Sequence, residues 1–491
     1  MPLLCRCYYR RVRIAVPIAL LLAAASSCGQ GSADARPEQK SQASSGRPNI
    51  VVFMADDLGM ADLSFLGGQP HTPNIDQLAA SGIRLSNFRA MPLCTPSRAA
   101  FLTGRSPARY GLAWSPLPPW STLGLPQEEV TLAEQLSTAG YRTALLGKWH
   151  LGHSKAEHHP HNHGFDYFYG CLNGSVGYWQ RKARGGGLDW QRNGESVAAE
   201  GYTTHLIADE AQQLIETHDF DAPLFLFVSF TAPHQPLQAP DAAKEAYADI
   251  EDPSRRVYCA MVSEMDKAIG QVLSALEQRE QAQNSLILFV SDNGGARDQG
   301  GANQPYRAGK GSVFEGGIKV PAVLNWPGRQ PAVEFTDFTT ILDLAPTFCE
   351  AAGIDPDVEF DGRSLLPSLP TIGPDGKVKP PSNGLATPGA MFFASTADRV
   401  QAAYLEDGYK YVRRAARPER PMKEFMFFLP DDPLEKQNLI EGEAERASTS
   451  RDHLAELLGT SATSLDLNQI APAKAKEPAN WQAPEDWSKL D

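Results

Sequence analysis

Cys94-Thr95-Pro96-Ser97-Arg98 sets a thiol two residues before a proline and about one helical turn before a guanidinium. Proline suits the first turn of a helix, where its missing N–H costs nothing, and Ala99-Ala100-Phe101-Leu102 continues the helix. Cys94 would sit at the positive end of that helix, which favours anions, with Arg98 facing the same space. Four further stretches carry polar groups able to work there: Asp56-Asp57, Lys148-Trp149-His150, His234 and Asp292-Asn293. Singly, each has a plainer explanation: Asp-Asp caps a helix, a lone His is a satisfied surface group, an isolated Cys is buried filling.

Position argues for reading them together. Asn49–Met54, Arg142–Gly147, Leu224–Phe230 and Leu286–Val290 are short apolar runs rich in Val, Ile, Leu and Phe, the pattern of buried strands. Each stops at one of the polar stretches. In open α/β sheets, sites form outside the carboxyl ends of strands, so four distant segments can converge on one pocket. The intervening helices are ordinary. Tyr258–Gln278 carries Met261, Val262, Met265, Ile269, Val272, Leu273 and Leu276 at helical spacing, a core-facing stripe.

Cys94-Thr95-Pro96-Ser97-Arg98 with Leu102-Thr103-Gly104-Arg105, and the segment Gly140–Gly152 (Gly-Tyr-Arg-Thr-Ala-Leu-Leu-Gly-Lys-Trp-His-Leu-Gly), resemble the two signatures of type I, formylglycine-dependent sulfatases. The likeness runs from about Asn49 to Leu439. Gly164-Phe165-Asp166, Pro236–Pro240 and Phe314–Gly317 lean it toward arylsulfatase B-like enzymes, which act on sulfated N-acetylgalactosamine.

The resemblance implies an α/β, alkaline-phosphatase-like sandwich with a large mixed, mostly parallel central sheet and a small C-terminal antiparallel subdomain. It implies conversion of Cys94 to formylglycine by a maturation enzyme. It implies one Ca²⁺ (or Mg²⁺) held by Asp56, Asp57, Asp292 and Asn293, with residue 94 as a further ligand. Sulfate binding and proton transfer fall on Arg98, Lys148, His150, His234 and Lys310. The expected reaction is O-desulfation of a carbohydrate such as a glycosaminoglycan or algal galactan. Two rivals share the frame: a phosphomonoesterase or phosphodiesterase with Thr95 or Ser97 as nucleophile, and a glycan-binding homologue without catalysis.

Other features are weaker. His153, His158, His159, His161 and His163 read as a polar, solvent-facing loop near the pocket mouth, or a zinc site. Arg184–Trp190 reads as a mobile loop, Trp179 and Trp190 as sugar platforms or packing, and Asn303 and Arg307 as pocket lining or solvated loop. Val400–Tyr404 and Tyr409–Val412 form a hairpin about Asp407-Gly408. Another strand at Glu424–Leu429 and a helix near Arg451–Leu458 follow.

The balance of 45 Lys+Arg against 58 Asp+Glu, net −13, excludes a broad nucleic-acid surface but not a local cationic pocket. Residues 1–27 read as a signal peptide: Arg6, Arg10, Arg11 and Arg13 precede an apolar run, Ile14–Ala25, too short to span a bilayer. Ala25-Ser26-Ser27-Cys28 resembles a bacterial lipobox. The expectation is export to the periplasm, outer membrane or cell surface, with membrane contact through a lipid on Cys28 only. Residues 28–47 are a flexible tether, 48–385 the catalytic domain, 386–460 the C-terminal subdomain and 461–491 a tail. Of the seven cysteines, Cys5 and Cys7 leave with the signal. Cys171, Cys259 and Cys349 remain as thiols, or as one pair plus one.

Overall fold

The four apolar runs become the centre of one ten-stranded sheet. Its strands are β1 (Asn49–Ala55), β2 (Ile83–Leu85), β3 (Arg142–Lys148), β4 (Tyr167–Cys171), β5 (Gln191–Arg192), β6 (Glu195–Ser196), β7 (Leu224–Ser229), β8 (Ser285–Ser291), β9 (Ala322–Asn325) and β10 (Val333–Phe335). The computed structural model describes residues 46–381, 389–416, 421–460, 466–467, 471 and 476–490. The order is β10-β2-β9-β8-β1-β7-β3-β4-β5-β6. The run β8-β1-β7-β3-β4 is parallel throughout, while β9 and the β5–β6 hairpin are antiparallel to their neighbours.

Every residue of β1, β7 and β8 is buried, because the sheet is covered on both faces. Successive side chains alternate between the two layers. Ile50, Val52 and Met54 pack with Leu286, Leu288 and Val290 on one side; Val51, Phe53 and Ala55 pack with Leu226, Val228 and Phe289 on the other. The first layer holds α2 (Cys94–Thr103), α3 (Leu132–Thr138) and α6 (Leu344–Ala351). The second holds α1 (Pro73–Ser81), α4 (Thr203–Thr217) and α5 (Pro253–Gln278). In α5, Met261 and Met265 face this core as the stripe predicted, and the helix begins at Pro253 because Asp252 caps its first turn.

The small sheet is β11 (Ala390–Ser395), β12 (Arg399–Glu406), β13 (Tyr409–Ala416) and β14 (Lys423–Phe428), antiparallel in sequence order. Asp407 and Gly408 both take positive φ, at 50° and 78°, the turn that an Asp-Gly pair predicts. Helix α7 (Ala444–Leu457) packs on this sheet through Ala447, Leu454 and Ala455; it starts well before the predicted Arg451. A large mixed, mostly parallel sheet with a small antiparallel annex is the architecture that the resemblance implied. Among the described residues no helix is long and apolar enough to cross a membrane. The signal, the lipobox and most of the tether lie outside the described residues.

Candidate active site

The carboxyl ends of β8, β1, β7 and β3 lie side by side in register: Ala55 is opposite Ser291, Met54 opposite Ser229, and Ser229 opposite Gly147. The next residues along these strands are Asp292, Asp56, the turn leading to His234, and Lys148. Helix α2 approaches end-on. No side chain caps its first turn, and all ten of its residues are buried, so its positive end points into the site.

Cys94 Sγ lies 3.5 Å from Asp56 Oδ1 and 3.9 Å from Asp57 Oδ1. Lys148 Nζ donates to Asp56 Oδ2 at 2.6 Å. Arg98 donates to Asp292 Oδ2 through Nε and Nη2, at 3.1 and 2.9 Å. Lys310 Nζ donates to Asp57 Oδ2 at 2.7 Å, and His234 Nε2 lies 3.6 Å from the same oxygen. Asn293 Nδ2 donates to Asp57 Oδ1 at 2.7 Å. Ser229, unremarked in the sequence, donates from Oγ to the Lys148 carbonyl at 2.6 Å and accepts from Arg98 at 2.5 Å, tying β7 to β3 and α2. His150 Nε2 meets the Leu117 carbonyl at 3.0 Å, and its buried Nδ1 has no partner. A Cβ on Gly174 would sit 2.4 Å from the His150 ring, so glycine there makes room for the imidazole. Asp57 and His150 hold φ of 69° and 59°, a conformation that costs non-glycine residues energy and clusters at functional sites.

Burial and neighbours set the charges. Burial pushes Asp292 up to about 6, with Asp56 adding to it. Burial also works against the Asp57 carboxylate, but Lys310 and His234 hold it at about 2. Burial, then Lys310, takes His234 down to about 3. Burial lowers His150 well below its usual value, followed by Lys148, and raises the Cys94 thiol far above its own. Lys310 is desolvated, yet Asp57 keeps its ammonium charged.

Asp56, Asp57, Cys94 and His234 bring ligand atoms within 4.8 Å of one another. Asp292 and Asn293 adjoin them, and Asn293 Oδ1 is buried without a partner, an acceptor left over for a cation. Crowded buried carboxylates plus an orphan amide oxygen fit a hard divalent ion.

A cleft of about 360 Å³ opens above Cys94, lined by His150, His234 and Lys310 together with Ser115–Trp120, Asn173–Ser175, Arg184 and Ser395–Ala397. The hydroxyls of the rival nucleophiles are engaged elsewhere. Thr95 Oγ1 donates to the His150 carbonyl and Ser97 Oγ to the Met91 carbonyl, and both residues are fully buried.

Residues 48–354 match the family described as Sulfatase. The chain belongs to the sulfatase family. It is 36% identical over 346 residues to arylsulfatase J of Mus musculus, covering 68% of this chain and 58% of that protein. It is also 36% identical over 349 residues to N-acetylgalactosamine-6-sulfatase of Homo sapiens, covering 66% of each. The match therefore spans less than two thirds of the length of these relatives. The crystal structure of Ps i-CgsB aligns with a TM-score of 0.75 and 31% identity over 87% of this chain and 94% of that one. Its complex with k-i-k-neocarrahexaose aligns with a TM-score of 0.72 and 30% identity over the same shares.

Around the cleft, several features differ from what the sequence pattern suggests. Asn303 and Arg307 do not line the cleft: Asn303 binds both backbone groups of Gly295, and Arg307 lies 3.9 Å over the Phe314 ring and donates to the Glu435 carbonyl. Trp190 is core, edge-on to Tyr169, and Trp179 is exposed on a separate groove with Leu237 and Lys244. Of the histidine cluster, His153, His158, His159 and His163 are buried rather than solvent-facing, and among the described residues none joins a metal-binding group. Cys94, Cys171, Cys259 and Cys349 are all free thiols, so the alternative of one pair falls away. Within Arg184–Trp190, Gly186 N donates to the Ala183 carbonyl, Leu188 N to the Glu485 carbonyl and Asp189 N to the Arg181 carbonyl. The cleft walls at Ser115–Trp120 and Ser395–Ala397 carry no motif, and nothing in the sequence marked them.

Proposed function

We propose that this protein hydrolyses sulfate monoesters, removing O-sulfate from a carbohydrate of the glycosaminoglycan or algal galactan class. The convergence of Arg98, Lys148 and Lys310 with two histidines around residue 94, at the open end of α2, carries the reading. A sulfate ester is an anion that repels nucleophiles, so cationic groups must hold it before attack is feasible.

If Cys94 is matured to formylglycine, its hydrate would supply one hydroxyl for attack on sulfur and a second whose deprotonation would release sulfate. A Ca²⁺ ion, with Mg²⁺ as the alternative, held by Asp56, Asp57, Asp292, Asn293 and residue 94, would supply Lewis acidity. The remaining work belongs to side chains in place. Arg98, Lys148 and Lys310 bind the sulfate oxygens. The departing sugar oxygen takes its proton from the His234–Lys310 pair: Lys310 is a charged ammonium, and the anionic ester in the cleft raises His234 toward protonation. His150, neutral and with a free Nδ1, accepts the proton released in the second half-reaction. The engagement of Thr95 and Ser97 in backbone hydrogen bonds counts against a phosphoesterase using either as nucleophile.

The test compares release of sulfate from an aryl sulfate and of phosphate from an aryl phosphate. Sulfate release that is lost in a folded Cys94→Ala variant is expected; preferred phosphate release would overturn the reading. Mass spectrometry of the residue-94 peptide checks the modification, and an unmodified thiol in a host able to mature sulfatases would favour a binding protein. We also infer export, with lipid on Cys28, from the leader pattern. Cys28→Ala should move the protein from the membrane to the soluble fraction.

A further inference from the structure

The cleft above Cys94 has a lopsided charge. The chain carries 58 acidic and 45 basic residues, yet among the described residues no Asp or Glu lines the cleft. Of the basic side chains that do, Lys310 is bound to Asp57, and His234 lies 3.6 Å from the same carboxylate at the reacting centre. Arg184 is different. It is exposed, and among the described residues no carboxylate pairs with it. An unpaired guanidinium at the mouth of an acid-free cleft suits an anion other than the one at the reacting centre.

Arg184 is also held in place. It precedes Gly185, Gly186 and Gly187, all at positive φ, and a Cβ on Gly187 would lie 1.9 Å from the Pro484 carbonyl oxygen. The C-terminal segment 476–490 straps this loop. Leu188 N donates to the Glu485 carbonyl at 2.8 Å, Trp487 N to the Leu188 carbonyl at 2.9 Å, and Trp487 Nε1 to the Gly186 carbonyl at 3.1 Å. From the other side Asp189 accepts from Leu172 N, Asn173 N and Asn173 Nδ2 at 2.8–2.9 Å. Trp481 of the strap meets the cleft-lining Trp120 at 5.8 Å between centroids. Trp120 Nε1 and Asn173 Oδ1 are buried without partners, a donor and an acceptor available to sugar hydroxyls.

We propose that Arg184 binds a second anionic group of the substrate, a sulfate ester or carboxylate on a sugar neighbouring the one that is desulfated. This rests on the sulfatase reading above and narrows its substrate to polyanionic oligosaccharides. The strap positions Arg184, and Trp120 and Asn173 bind the sugar between the two anions.

The experiment measures kcat and KM by sulfate release on three disaccharides: one with a single sulfate, one with a second sulfate on the adjacent sugar, and one with a uronate there. In the wild type, kcat/KM should rise about 10-fold with the second anion, mainly through KM, as a charge-assisted pair of about 1.4 kcal/mol gives. The arm that gains identifies the anion. Arg184→Ala should collapse the ratio of doubly to singly anionic substrate to near one, and Arg184→Lys should keep part of it. A wild-type ratio near one, or a ratio untouched by Arg184→Ala, overturns the proposal. An aryl sulfate run alongside separates the failures. Turnover there without second-anion preference sinks only this inference, whereas no sulfate release from any substrate sinks the sulfatase reading.

Discussion

Lys148 and Asp56 form a fully buried ion pair 2.6 Å apart, joining the ends of two strands that are not neighbours in the sheet. Removing one partner of such a pair leaves a bare buried charge, which costs roughly 3–5 kcal/mol. Lys148→Met is expected to lower the unfolding free energy by about that amount and to cut aryl sulfate turnover by at least ~100-fold. Urea denaturation and steady-state kinetics read the two effects. Intact activity in a destabilised variant would mean that Lys148 only holds β3 to β1.

The unpartnered Asn293 Oδ1 points to metal affinity. Asn293→Ala should raise the Ca²⁺ concentration needed to restore a chelator-stripped enzyme by about 10–100-fold, the range for lost support at metal sites. Calorimetric titration of stripped protein gives the same quantity without turnover. An unaltered dissociation constant would remove Asn293 from the ligand set.

Stability should fall in mild acid because of the buried histidines outside the site. Burial first of all takes His153, His159 and His163 to about 4, against an ordinary 6.5. Between these values the unfolded chain takes up protons that the folded chain refuses, so stability is lost as pH drops from about 6.5 to about 4. Each histidine contributes a slope of at most about 1.4 kcal/mol per pH unit. His163 has no hydrogen-bond partner at either nitrogen and lies against Trp149. His163→Phe should flatten the curve of urea midpoint against pH; an unchanged slope would exclude His163 as a source.

The small sheet is joined to the loop carrying Lys310 by charge. Lys410 Nζ, on β13, lies 2.8 Å from Glu315 Oε1 and 2.8 Å from Glu435 Oε1, and Arg89 closes the other side of Glu315 at 2.8 Å. Lys410→Met should destabilise by about 3–5 kcal/mol, since Glu435 loses its cation. Adding Glu435→Gln should recover part of the loss. Additive effects in the double-mutant cycle would show that the two residues do not communicate.

The centre of the molecule is readable in the sequence because two strong signals coincide there. Fully buried parallel strands read as unbroken apolar runs, and each run stops where polar groups begin. That pattern alone places Asp56, Lys148, His234 and Asp292 at one sheet edge. The periphery obeys no such rule. Trp190 and Trp179 have the same side chain, but a neighbouring Tyr169 buries one while a groove exposes the other. Arg307 stands three residues from Lys310, yet the aromatic face of Phe314 captures it. The histidine cluster looks polar in sequence, yet Gly124 and Gly152 make room for His158 and the Pro119 carbonyl binds the buried His153. Such outcomes depend on contacts between distant loops, which local pattern does not encode.

The strap at residues 476–490 has a consequence for the order in which the protein is made. The reacting groups all lie at or before Lys310 in the chain, but the support of the Arg184 wall comes from residues 476–490, synthesised much later. A nascent or prematurely terminated protein would hold the reacting groups without that wall.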